Sequence, residues 1–147
     1  MIKLVTTFCR CDRGSSMVEI AVVMVAALVL MLGMIQFAVA YWYQHNLLLA
    51  VEHAGRWAMI NNTDTSVASD AALYVCNIVS PGGANCANVA GGAACNLTAG
   101  QYCADATTAT SSNGTKMLTL SGRYRFSFLN VTGSDLTLTS QTTVPLD

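Results

Sequence analysis

The chain has 147 residues, a formal net charge of −1, 10% charged residues and 53% hydrophobic ones. That length allows one compact domain at most once a membrane-length segment is set aside, and scarce charge with no basic stripe excludes nucleic acid as a partner. The positive mean hydropathy of +0.47 comes mainly from a single stretch.

In chain order, residues 1 to 14 carry Lys3, Arg10 and Arg13 against one acid, Asp12. Such a basic excess beside a span stays in the cytoplasm, so the amino terminus is expected inside and the bulk of the chain exported. Cys9 and Cys11 have no third ligand nearby and read as incidental reduced thiols.

From Ile20 to Tyr43 the sequence is apolar, with Gln36 the only strongly polar side chain. A helix of about two dozen residues, at roughly 1.5 Å each, crosses the roughly 30 Å hydrocarbon core of a bilayer. A run that is apolar all round must face lipid or equally apolar helices. A secretory signal peptide is the rival reading, with Ala38-Val39-Ala40 as its cleavage site, but its apolar region is shorter than this one. Tyr41, Trp42 and Tyr43 stand where the span leaves the bilayer, and aromatic rings at headgroup depth are expected there as interface anchors.

Glu19 sits at the cytoplasmic edge of the span. As a bare feature it is a helix-start carboxylate favoured by the positive end of the helix dipole. Its context, Arg13-Gly14-Ser15-Ser16-Met17-Val18-Glu19 followed by an uninterrupted apolar run, resembles the processing site of type IV pilin-like proteins. The continuation through Gly33-Met34-Ile35-Gln36-Phe37, Tyr41 to Asn46 and Ala50-Val51-Glu52-His53-Ala54-Gly55-Arg56 narrows the likeness. It resembles TadE-like pseudopilins of tight-adherence (Tad or Flp) pilus systems. The family often carries a proline early in the span and a glutamate just before the phenylalanine; Val23, Met24 and Gln36 occupy that territory here, which implies a straighter helix and one inter-subunit contact fewer. The resemblance implies cleavage by a prepilin-type peptidase between Gly14 and Ser15. It also implies an assembly role for Glu19, other pilin or pseudopilin subunits as partners through the helix, and inner-membrane lipid around it before assembly.

The helix is expected to continue beyond the span. Gln44 to Met59 places Leu47, Leu48, Val51, Ala54, Gly55 and Ala58 on one face, so that span and amphipathic segment form one rod. Asn61 to Asp64 supplies a break, and Ser66 to Val79 reads as a second helix, with a strand over 73–79 as the alternative. From Gly82 to Gly114 no apolar periodicity survives, and such a stretch cannot offset its own ordering entropy. Cys76, Cys86, Cys95 and Cys103 lie across it at spacings near ten, and export permits their oxidation. Two disulfides are expected to staple this loop; the sequential pairing is slightly preferred to the nested one. A four-cysteine zinc site is the rival, but no Cys-x-x-Cys knuckle is present, so no metal is expected.

Thr115 to Leu129 alternates apolar residues with Arg123, Arg125 and Ser127, which reads as a strand with Gly122 as bulge or turn. Leu136 to Val144 gives a last strand stopped by Pro145. The expected class is α+β: a long amino-terminal helix packed on a small antiparallel sheet, pilin-like, with a disulfide-stapled loop. Its parts are a leader (1–14), the long helix (15–60, span about 20–43) and an exported head (61–147).

No catalytic constellation is visible. His45 and His53 read as solvated helical histidines, and no nucleophile is poised near either. The expectation is a structural subunit, not an enzyme, with no cofactor. It is a precursor in the bacterial inner membrane, amino terminus inside, later part of a pilus at the cell surface with a role in adhesion or secretion. A signal-anchored periplasmic binding or adhesive module and a type II secretion pseudopilin are the alternatives.

Overall fold

The computed structural model describes residues 15–62, 66–82, 84–90, 97–127 and 135–146. The elements are helix α1 (Ser15–Ile60), helix α2 (Val67–Val79) and strands β1 (Cys86–Ala90), β2 (Tyr102–Thr110), β3 (Lys116–Ser127) and β4 (Asp135–Leu146). The chain divides into two compact units, Met1–Val39 and Ala40–Asp147, so the later part of α1 belongs to the head.

In the head, four strands lie side by side in the order β1-β2-β3-β4. The three longer ones are antiparallel, whereas β1 joins the edge of β2 in parallel, making the sheet mixed. Its inner face carries Ala104 and Ala106 from β2 and Leu118, Leu120 and Tyr124 from β3, all buried. Against them pack Leu47, Ala50, Val51, Ala54 and Ala58 of α1 and Val67, Ala71, Ala72, Val75 and Cys76 of α2. The α1 face is the expected one with two changes: Ala50 is fully buried and Leu48 is exposed. On α2, Tyr74 and Ile78 also face outward, and Ala72 and Cys76 take the inner positions.

Small residues set how close helix and sheet come. Gly122 is regularly paired with Ala104 and Ser140, so it makes neither bulge nor turn. A Cβ there would lie 2.7 Å from Leu47 Cδ1, nearer than real Cβ contacts come, and a tight 3.0 Å from Val51 Cγ2. Its function is to leave room for α1. Gly55 answers from the helix side, where a Cβ would meet Val144 Cγ1 at 3.2 Å and Thr142 Cγ2 at 3.3 Å.

Two strands occupy the stretch expected to be structureless. β2 is half buried through alanines and threonines, side chains too small or too polar to register as an apolar period, yet well suited to a pleat crossed closely by helices. Pro145 also departs from expectation, since it lies within β4, opposite Met117. β4 is an edge strand, where some backbone N–H groups need no strand partner, and proline is tolerated there.

Cys76 and Cys86 are joined by a disulfide that ties the end of α2 to the start of β1. Cys103 is also disulfide-bonded, and Cys95 lies outside the described residues. Arg125 fastens the far end of the sheet: its Nη2 stands 2.6 Å from Asp135 Oδ2, its Nε donates to the same oxygen at 2.8 Å, and its Nη1 donates to the Leu97 carbonyl at 2.7 Å.

Candidate membrane and assembly helix

The first unit consists, among the described residues, of helix alone. Every residue from Met17 to Val39 is exposed except Gln36, which is half buried. Within α1 an 18-residue stretch reaches a mean hydropathy of 2.7 with none of it buried in the protein, which is long and apolar enough to cross a membrane. Water is a poor solvent for so large an apolar surface, so this segment requires a nonaqueous neighbour. Where Gly33 interrupts the larger side chains, a shallow apolar groove is lined by Val29, Leu30, Met34, Phe37 and Ala38. A Cβ at Gly33 would touch nothing.

Glu19 is exposed and has no charged partner among the described residues. It is the only acidic or basic side chain between Met17 and Val39. Gly14 lies outside the described residues, and Ser15 is the first residue of α1.

The aromatic trio at the end of the apolar run is divided. Tyr41 and Trp42 are 66% and 59% exposed, whereas Tyr43 is half buried against the sheet. Its ring stacks on Tyr124 at 4.7 Å, and Tyr124 in turn meets Tyr102 at 4.4 Å. Phe126 closes the group at 6.1 Å from Tyr43. Burial pushes the Tyr102 hydroxyl from its ordinary value of 10.0 up to about 12, with the nearby Tyr124 and Tyr43 adding to the rise. Tyr124 is raised as well, chiefly by burial, then by the charge of Tyr43 and a hydrogen bond with it. Sequence reasoning missed this cluster because β2, which supplies Tyr102, carries no legible period.

His45 and His53 are exposed on α1, and no group of three or more metal-binding side chains exists among the described residues. The open face of the sheet forms a shallow concavity lined mainly by hydroxyls, including Thr107, Thr119, Ser121 and Thr139, with Asp105 and Arg123 beside them.

The family model of TadE-like proteins matches residues 14–56. Over that stretch the chain is similar to TadE-like proteins. The matched stretch covers the apolar segment, Glu19, the aromatic trio and most of the sheet-packed part of α1. No curated protein and no solved structure matches the chain significantly. The head beyond residue 56 is therefore understood from its own geometry.

Proposed function

We propose that this chain is a structural pseudopilin of a Tad-type pilus. It is made as a bitopic inner-membrane precursor and cut by a prepilin-type peptidase between Gly14 and Ser15. It is then packed through its apolar helix into the pilus or at its tip, in the service of adhesion or secretion. The observation that carries this reading is a helix segment exposed and apolar all round, with one carboxylate, Glu19, near its start that has no charged partner among the described residues. The family match supports it because the matched stretch includes Gly14, Ser15, Glu19 and the apolar run.

The residues supply a mechanism. Side-by-side packing lets each apolar helix exchange lipid for protein, and Ala21, Ala26, Ala27 and Gly33 let neighbouring backbones approach. Glu19 needs a positive partner in that dry environment. Cleavage frees an amino group at Ser15, and the one on a neighbouring subunit is the natural counterpart in pilin-like assembly. A buried pair of this kind discriminates against wrong registers more than it adds stability. Tyr41 and Trp42, both exposed, serve as the interface anchors.

Intact mass and amino-terminal sequencing from cells with and without the prepilin peptidase test the precursor step. A terminus at Ser15 that requires the peptidase is expected; a terminus at Met1 in both strains refutes it. Glu19→Ala is expected to insert and be cleaved but to give no filament. A chain that only tethers a periplasmic module tolerates that change and the replacement of Gly14.

A further inference from the structure

β4 forms one end of the sheet, and Pro145 tells which of its backbone groups are left over. In an antiparallel pair, opposed residues alternate between exchanging two backbone hydrogen bonds and exchanging none. Pro145 has no N–H yet stands in register opposite Met117, so theirs is a pair of the second kind. The register runs unbroken from Lys116 opposite Leu146 to Ser127 opposite Asp135, and stepping back by two assigns Thr143, Gln141, Thr139 and Thr137 to the same kind. The hydroxyls of Thr143 and Thr119, 3.3 Å apart across the strands, agree, because side chains approach more closely in such pairs. The N–H and C=O of these four β4 residues therefore point away from β3 toward the open edge, at intervals of roughly 6.8 Å. Among the described residues, no turn, loop or helix bonds to them.

Such edges are usually blunted by a lysine, a bulge, shortness of the strand or a covering helix. β4 is 12 residues long, keeps its register throughout and carries no lysine or arginine. α1 stands over its inner face without sealing the edge: Tyr41, Gln44, His45 and Leu48 leave a notch of about 170 Å³ beside Thr139 and Ser140. Thr139 lines this notch although its side chain belongs to the opposite face, as befits a residue whose backbone looks out of the edge. On the helix side of the sheet Leu48 and Leu136 remain 41% and 43% exposed. An added strand fits all three features. Its backbone completes the open bonds, its residues on the helix side enter the notch and cover the two leucines, and the alternate residues lie beside Thr137, Thr139 and Gln141.

We propose that the β4 edge receives, antiparallel, an extended segment of another protein in which apolar residues alternate with hydroxyl-bearing ones. A second copy of this chain is not that partner. Leu47 packs with Leu138, and Gly55, further along the helix, with Thr142 and Val144, so α1 and β4 run in the same sense. Two β4 edges joined antiparallel would set their α1 helices in opposite directions, which a shared membrane forbids. That exclusion rests on the reading of the apolar helix as a membrane span.

The test uses the purified full-length chain in neutral detergent and a fluorescent peptide of about seven residues, alternating valine and threonine between terminal lysines, with binding read by anisotropy. Saturable binding is expected. With valines on the helix side, it is the threonine N–H groups that face β4, so N-methylation of the threonines should weaken binding at least about tenfold and N-methylation of the valines should leave it unchanged. Thr139→Pro combined with Gln141→Pro removes outward N–H groups and spares those bonded to β3, and it should weaken binding by a similar factor; Thr139→Val should not. Should the prolines unfold the head, the two N-methylated peptides decide on the unaltered chain. No saturable binding, or equal loss with both N-methylated peptides, overturns the proposal. So does a dimer of the chain in detergent that the same prolines dissociate, which would assign the edge to a second copy. Integration into vesicles is measured separately: its failure refutes the span, while integration without peptide binding refutes the edge site alone.

Discussion

The two parts of α1 are built from similar apolar residues and meet opposite fates. From Met17 to Val39 the large side chains Val, Leu, Met, Ile and Phe point outward all round, and Gly33 touches nothing. From Ala40 to Ile60 the buried positions are mostly small, Ala50, Ala54, Gly55 and Ala58, with Leu47 and Val51 as the only large ones. Hydrophobicity alone does not decide which part is covered by the protein's own sheet. Size does, because a flat pleated surface admits a helix closely only where the facing side chains are short. Large side chains all round suit a fluid neighbour that conforms to any shape.

The sharpest way to break that comparison is to cut into both parts equally. Leu120→Ala removes a fully buried side chain facing α1, and the head should lose about 2 to 5 kcal/mol of stability in urea unfolding of the detergent-solubilised chain. Leu30→Ala, in the exposed part, should leave that transition within about 0.5 kcal/mol. Equal losses would mean that the first unit stabilises the head.

Replacing both Cys76 and Cys86 by alanine opens a loop with a sequence separation of 10. The expected cost is about 3 kcal/mol by the chain-entropy relation, read as a lower urea midpoint. Gly122→Val tests the close-approach argument directly: overpacking against Leu47 and Val51 should cost about 1 to 3 kcal/mol, whereas Gly33→Val should leave head stability unchanged.

The smallest effect belongs to the tyrosine cluster. Tyr102 and Tyr124 ionise at higher pH folded than unfolded, so their neutral forms favour the native head at all pH below about 10. That contribution declines as pH rises through 10 toward 12. Stability measured between those values should fall less steeply in Tyr102→Phe than in the unaltered chain.

Much of this architecture was legible in the sequence, and what escaped shares one cause. The long helix announces itself because every residue from Ile20 to Val39 except Gln36 is apolar, a pattern that needs no reference to any other part of the chain. α2 and β3 carry their own periods, and their observed limits lie within one or two residues of those expected. β2 does not, because Ala104 and Ala106 are buried by what crosses them rather than by their own apolarity. The task of Gly122, the inward turn of Tyr43 and the position of Pro145 on an edge all depend on which strand lies beside which. For the candidate site, the position of Glu19 and the exposure of Tyr41 and Trp42 follow from local sequence, whereas the burial of Tyr43 does not.

The seat of Val144 and Thr142 against Gly55 has a consequence for timing. β4 completes the packing of a helix that is made earlier, so the head cannot reach its final form until the intervening chain has been synthesised. Distant pairings of this kind also close slowly, since the loop between them must be ordered before the contact rewards it. Until then α1 must be held by something other than its own sheet, and the face carrying Leu47, Val51 and Ala54 is the part most exposed to capture by a chaperone or to attack by a protease.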